Sequence, residues 1–160
     1  MSKFVECYGG IYEHSLWVAR EAEAVAEGVV DAASLADIMA DCVDNASTER
    51  QLELIRAHPD LAGRAQLAGD LTPESTEEQA SAGLDHCTAD EYERFQVLNE
   101  AYWKKFDFPF VMAVRGSSRT EILDAFERRL GNKYELEFET ALQEIHKIAR
   151  LRLAAIEQLS

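Results

Sequence analysis

The sequence is short of positive charge: 16 lysines and arginines face 30 aspartates and glutamates, a formal net charge of −14. A field of that sign repels nucleic acid and anionic membrane surfaces, so neither is expected as a partner. It also gives no long-range pull on an anionic small molecule, which would need local positive charge. Cysteine is scarce and odd in number, with only Cys7, Cys42 and Cys87, none closely spaced. That argues against a disulfide framework and fits a reducing compartment. No apolar run approaches membrane-spanning length, and Met1 to Glu6 lacks the apolar region of a signal peptide. The ending Glu157-Gln158-Leu159-Ser160 is not the Ser-Lys-Leu peroxisomal address, and the expected location is cytoplasmic. His-x-x-x-His and Cys-x-x-Cys spacings are missing; His86 and Cys87 are adjacent, but nothing supplies a third ligand, so no metal site is expected. There is no glycine-rich phosphate loop and no Gly-x-Ser-x-Gly, which makes nucleotide cofactors and serine hydrolysis poor expectations.

What is present is helical periodicity. With 160 residues and 47% hydrophobic content, the chain can build one real core, and it shows no repeat, low-complexity tract or linker. Leu35, Ile38, Met39, Cys42 and Val43 form an amphipathic stripe behind Ser34 as N-cap; Val18, Ala22, Val25 and Val29 form another. Thr48 to Gln51 reads as a capping box opening a helix that ends before His58. Thr88 to Glu91 opens a helix whose face carries Phe95, Leu98, Tyr102 and Phe106. Ser118 to Glu121 opens one with Ile122, Leu123, Phe126 and Leu130, stopped at Gly131-Asn132. A last helix runs from about Tyr134 to Leu159. Val111 to Val114 is too short to read by period and is expected as buried extended backbone after Pro109. The expectation is an all-α, single-domain helical bundle over residues 1–160, with one short extended segment near 108–115.

Several residues in this frame suggest chemistry. His58 directly precedes Pro59, and clashes with the proline ring push it out of the helical region. Its imidazole thus stands at a helix exit on stiff backbone, which suits a positioned acid/base; a plain loop histidine beside a helix stop is the competing reading. Arg152 fills a gap in the stripe Leu142, Ile145, Ala149, Ile156, Leu159. A charge there either snorkels to water, pairs with a core carboxylate, or holds a ligand with carbonyl or carboxylate oxygens. Ser75 to Glu78 reads as a capping box, and the same helix start offers free N–H groups to a ligand, with the Gln79 amide beside it. Phe106, Phe108 and Phe110 around Pro109 read mostly as core, although unpaired extended backbone must find partners for its N–H and C=O groups. The amide edges of a small heterocycle would serve.

Taken in order, these pieces resemble the OHCU decarboxylase family, the decarboxylases of 2-oxo-4-hydroxy-4-carboxy-5-ureidoimidazoline in urate degradation. The matching segments are Gly9-Gly10-Ile11-Tyr12-Glu13-His14-Ser15 with Trp17, His58-Pro59-Asp60-Leu61-Ala62-Gly63, Ser75 to Gln79 with Ala82-Gly83-Leu84, Leu98-Asn99 with Tyr102, the Phe-Pro-Phe segment, and Leu151-Arg152-Leu153. The resemblance implies an all-helical, cofactor-free homodimer that takes a small ureidoimidazoline substrate and releases (S)-allantoin. It implies His58 as catalytic acid/base, with Glu78 and Arg152 as polar partners of the histidine and the ligand. Pro59, Ser75, Thr76, Glu77, Glu78, Gln79, Phe110, Val111, Met112, Ala113 and Val114 would surround the substrate. Two positions depart from the family pattern: Leu16 where proline is usual, and Asp107 where glycine is usual. The alternatives are a non-catalytic acidic helical module that binds ureides or acts as an adaptor, and a hydrolase for a neighbouring ureide.

Overall fold

Periodic apolar residues behind polar caps produce eight α-helices and one 3₁₀ turn among the described residues, with no strand. The computed structural model describes residues 1–29, 31–63 and 69–159, the side chain of Leu159 excepted. The helices are α1 Lys3–Tyr8, α2 Leu16–Val25, α3 Ala32–Asp44, α4 Thr48–Arg56, α5 Pro73–Ser81, α6 Ala89–Phe106, α7 Arg119–Leu130 and α8 Tyr134–Leu159, with the 3₁₀ turn at Leu84–His86. The all-α expectation holds, and residues 109–114 are neither helix nor strand. None of these helices is long and apolar enough to cross a membrane.

Helix ends follow the capping chemistry, sometimes one step away from the expected residue. The boxes at Thr88–Glu91 and Ser118–Glu121 are complete, each side chain accepting from the other residue's N–H. For α3 the N-cap is Asp31, not Ser34: its carboxylate accepts from Ser34 N at 2.8 Å, and Ala32 and Ala33 extend the helix backwards. For α4 the cap is Ser47, accepting from Arg50 N at 3.2 Å. Gln51 is thereby released to donate to the Val43 carbonyl at 3.0 Å, sealing the end of α3. For α5 the cap is Thr72 with Pro73 at the first helical position, a place where the missing proline N–H costs nothing. Ser75 to Glu78 therefore lie inside the helix instead of opening it. The stripe assigned to α2 is also shorter than expected: Val18, Ala19 and Ala22 are buried, Val25 is 64% exposed, and Val29 lies beyond the helix. Gly131 does stop α7, in right-handed geometry (φ −81°), with its N–H on the carbonyls of Arg128 and Arg129.

Asp107 ends α6 in the left-handed region (φ 61°, ψ 31°), its N–H on the Trp103 carbonyl at 2.8 Å. That conformation explains why glycine is the usual residue in the pattern the sequence resembles, and aspartate is among the few side chains that tolerate it. Asp107→Val should lower stability by about 1–2 kcal/mol, the cost of forcing a branched side chain into that region. Asp107→Gly should unfold in urea at a midpoint no lower than wild type. A valine variant as stable as wild type would remove this account of the turn.

Contacts divide the chain into two compact units, Met1–His58 with Leu142–Ser160, and Pro59–Ala141. In the first, Val18, Ala22, Met39, Val43, Leu54, Ile55, Ile145 and Ala149 are buried. The stripe on α8 is thus realised at Leu142, Ile145 and Ala149, with Ile156 half-buried; the side chain of Leu159 lies outside the described residues. In the second, Phe95, Tyr102, Phe106, Phe108, Phe110 and Phe126 form an aromatic core. Tyr102 stands edge-on to Phe108, Phe110 and Phe126, and Phe110 stacks on Phe126 at 4.0 Å and 9°. Edge-on and offset pairs of this kind add specificity to the area they bury.

Candidate active site

In the first unit, the helix stop before Pro59 delivers His58 to a buried position. Ala57 caps α4, and His58 N donates to the Ile55 carbonyl at 3.1 Å. The side chain is 7% exposed, and its Nε2 is buried with no hydrogen-bond partner among the described residues. Burial pushes its pKa from 6.5 down to about 4; the Glu13 carboxylate works upward, while the Arg152 guanidinium and His14 work downward. Burial therefore favours the neutral imidazole, and among the described residues one ring nitrogen of His58 is not committed to the fold.

Arg152 does sit buried in the α8 stripe, 5% exposed, and the structure names its partners. Nη1 donates to the carbonyls of Gly10 at 3.1 Å and Ile11 at 3.3 Å, and Nη2 donates to Glu13 Oε2 at 3.3 Å. All three acceptors come from the loop between α1 and α2. That loop is held by close approach: a Cβ at Gly9 would lie 2.5 Å from the Val5 carbonyl oxygen and 2.6 Å from Leu16 Cδ2. It is also held by Tyr12, whose hydroxyl is 2.8 Å from His146 Nδ1, with His146 Nε2 2.9 Å from Asp44 Oδ1. Burial raises the Tyr12 pKa far above its ordinary value, so that end of the chain of contacts stays protonated. Ser15 Oγ adds a bond to the Glu13 carbonyl at 3.0 Å.

Glu13, the carboxylate that pairs with Arg152, was not singled out by the sequence reading, although it lies within a motif quoted there. The signal was Arg152 itself: a buried arginine demands a carboxylate. With 30 acidic residues to choose from, spacing gave no way to select this one.

In the second unit, the turn after Pro59 is held through its backbone by side-chain amides. Ala62 has φ 50°. Gln79 Oε1 accepts from Ala62 N at 3.0 Å, while its Nε2 donates to the Asp60 carbonyl at 3.2 Å. Asn99 Nδ2 donates to the Leu61 carbonyl at 3.0 Å, and Gln96 Nε2 to the Ala62 carbonyl at 2.7 Å. Trp103 Nε1 donates to Asp60 Oδ1 at 3.0 Å. Of the segment expected at a substrate, Ser75 and Gln79 are buried, Thr76 and Glu77 are exposed, and Glu78 is half-buried. Glu77 pairs with Arg115 at 3.4 Å. Because α5 starts at Pro73, the N–H groups of Glu77 and Glu78 fall within the helix and not in its open first turn.

An arginine of the same unit holds part of the segment 109–114. Arg129 Nη1 donates to the Val111 carbonyl at 2.6 Å, its guanidinium lies 4.3 Å from the Phe110 ring centroid, and Nε donates to Glu137 Oε1 at 2.9 Å. Glu137 is fully buried and also accepts from the Tyr102 hydroxyl at 2.6 Å and Asn132 Nδ2 at 3.0 Å. Phe110, Val111 and Val114 are buried, Met112 and Ala113 half-buried. The Val111 carbonyl, which the sequence reading offered to a heterocycle, is thus engaged within the fold.

The described residues are all-helical in their regular structure, and the first unit buries a histidine and an arginine together with a carboxylate. The family described as OHCU decarboxylase matches residues 1–154, and the chain belongs to that family. It is 47% identical over 151 residues to the 2-oxo-4-hydroxy-4-carboxy-5-ureidoimidazoline decarboxylase of Haloferax volcanii, covering 94% of this chain and 87% of that one. It is 41% identical to part of the uric acid degradation bifunctional protein of Bacillus subtilis, covering 92% of this chain and 29% of that one. Among solved structures, it is similar to an OHCU decarboxylase crystallised in the presence of (S)-allantoin, with a TM-score of 0.73, 26% identity and coverage of 96% and 95%. It is also similar to an (S)-allantoin synthase, with a TM-score of 0.75 and 35% identity, spanning 95% of this chain and about half (49%) of that one.

Proposed function

We propose that this protein decarboxylates 2-oxo-4-hydroxy-4-carboxy-5-ureidoimidazoline to (S)-allantoin in urate degradation. The substrate carries a carboxylate and a hydroxyl on one ring carbon, beside a ring imine. The bond to the carboxylate breaks, carbon dioxide leaves, and the electron pair moves towards the imine, whose nitrogen takes a proton. The enol so formed loses its hydroxyl proton as the ring carbonyl appears, and the ureido-bearing carbon takes a proton. One proton is consumed overall. The substrate holds its own electron sink, so this chemistry requires no cofactor.

The observation that carries the reading is the buried neutral His58 with its uncommitted Nε2. As a base it accepts the hydroxyl proton; as an acid it returns one to the ureido-bearing carbon from one side, giving one enantiomer. Such a group contributes roughly a hundred- to ten-thousand-fold. Arg152, held by Glu13 and two carbonyls, supplies fixed positive charge for the developing enolate. Glu78, with residues 75–79 and 110–114, is assigned to substrate contact on family resemblance. The same reading treats residues 1–160 as one functional domain, in a cytoplasmic homodimer.

The test is circular dichroism at an allantoin-sensitive wavelength, with urate, urate oxidase and 5-hydroxyisourate hydrolase making the substrate in the cuvette. One-handed allantoin should appear much faster than in the enzyme-free control. Slow, racemic product at the spontaneous rate would overturn the assignment and favour a ureide-binding module.

A further inference from the structure

We infer that Glu13 is a positioning residue of the reaction, acting through Arg152: its buried carboxylate holds the guanidinium in the pose that meets the substrate. This rests on the proposed decarboxylase reading and deepens it, giving the carboxylate beside Arg152 a part in the reaction and not only in the fold.

Three observations support the inference. Glu13 is 2% exposed, and a carboxylate is costly to bury unless a charge answers it. Its Oε2 meets Arg152 Nη2 at 3.3 Å, while two carbonyls of the same loop take Nη1. Three contacts to the guanidinium thus come from a single loop, and together they constrain its plane as well as its place. That loop is itself pinned by the Tyr12, His146 and Asp44 contacts and by the close approach at Gly9. The pair is also neutral as a whole. Glu13 therefore lets Arg152 sit near His58 without imposing an uncompensated positive charge on the imidazole, and the opposed effects of the two groups on His58 agree with this.

A positioning role and a purely structural role make different predictions. The measurements are KM and kcat for allantoin formation, the Kd for (S)-allantoin by calorimetry, and the thermal midpoint. Glu13→Gln should remain folded and raise KM and the product Kd by roughly ten- to a hundredfold, the scale of an ångström-level misplacement. In an Arg152→Met background, the same substitution should change either constant by less than about twofold, because the group it positions is gone. Glu13→Asp, which keeps the charge on a shorter arm, should fall between wild type and Glu13→Gln. If Glu13→Gln alone fails to fold, Glu13→Asp supplies the comparison in the wild-type background, and the double variant, with both charges removed, remains measurable. Equal penalties in both backgrounds, or a Glu13→Gln enzyme with wild-type constants, would overturn the inference. Wild-type turnover judges the decarboxylase reading separately. The binding cycle needs no turnover, and a wild-type chain that neither turns over nor binds the product would overturn both.

Discussion

His58→Asn should reduce allantoin formation by roughly a hundred- to ten-thousand-fold, the worth of a general acid/base, while helix content by far-ultraviolet circular dichroism stays at the wild-type level. The side chain sits after the end of α4 and contributes no cap, so its loss need not disturb a helix. A second signature follows from burial. With a folded pKa of about 4 against 6.5 when free, the unfolded chain binds the proton more tightly than the folded one between those values. Stability therefore falls as pH drops from 6.5 towards 4, by roughly 3 kcal/mol from this group. His58→Asn should lose that slope. The acid limb of kcat/KM should likewise lie well below 6.5, because the base stays neutral to lower pH. A near-wild-type rate in the variant would sink the catalytic role, and an acid limb at 6.5 would contradict the lowering of the His58 pKa by burial.

The largest stability effect is expected at Arg129. Replacing it with methionine leaves Glu137, fully buried, without its cation and frees the Val111 carbonyl. Breaking a buried pair from one side costs about 3–5 kcal/mol. The urea midpoint of Arg129→Met should fall accordingly, with an unchanged slope if unfolding remains two-state. The double variant Arg129→Met/Glu137→Leu should recover much of the loss, because no charge is then stranded. Tyr102→Phe removes only one hydrogen bond to the same carboxylate and should cost about 1–1.5 kcal/mol. If Arg129→Met costs less than Tyr102→Phe, the carboxylate does not depend on the arginine.

The two results bear on what could be read from the sequence. Helices were legible because the period of three and four is a local property of the chain: the stripe of α6 and both complete capping boxes were visible directly. Caps went astray where two acceptable residues competed within three positions, as at Asp31 against Ser34 and Ser47 against Thr48. The winner is decided by which oxygen reaches an N–H, a matter of geometry and not of residue type. At α5 the proline at the first helical position was the better guide, and the acidic run beyond it distracted from Thr72. At the candidate site, His58 and Arg152 were marked by local anomalies, a histidine before a proline and a charge in an apolar stripe. Glu13 and Arg129 carry no such mark. Their importance lies in partners far away in the chain: Glu13 is 139 positions from Arg152, and the Val111 carbonyl is 18 from Arg129.

The Gln79 amide sets an unusually narrow rule for substitution. It donates at one end, to the Asp60 carbonyl, and accepts at the other, from the Ala62 N–H. Glutamate has the reach but, ionised, no hydrogen to give; lysine has hydrogens but no acceptor; asparagine has both and a side chain one carbon shorter. Exchanges that score as conservative in size or polarity are therefore radical here. Deamidation, a change of a few atoms that an ageing polypeptide can undergo unaided, would turn a bond to Asp60 into a repulsion. The shape of the turn after the catalytic candidate is thus guarded from a residue 17 to 19 positions away, by a side chain that must give a hydrogen at one end and receive one at the other.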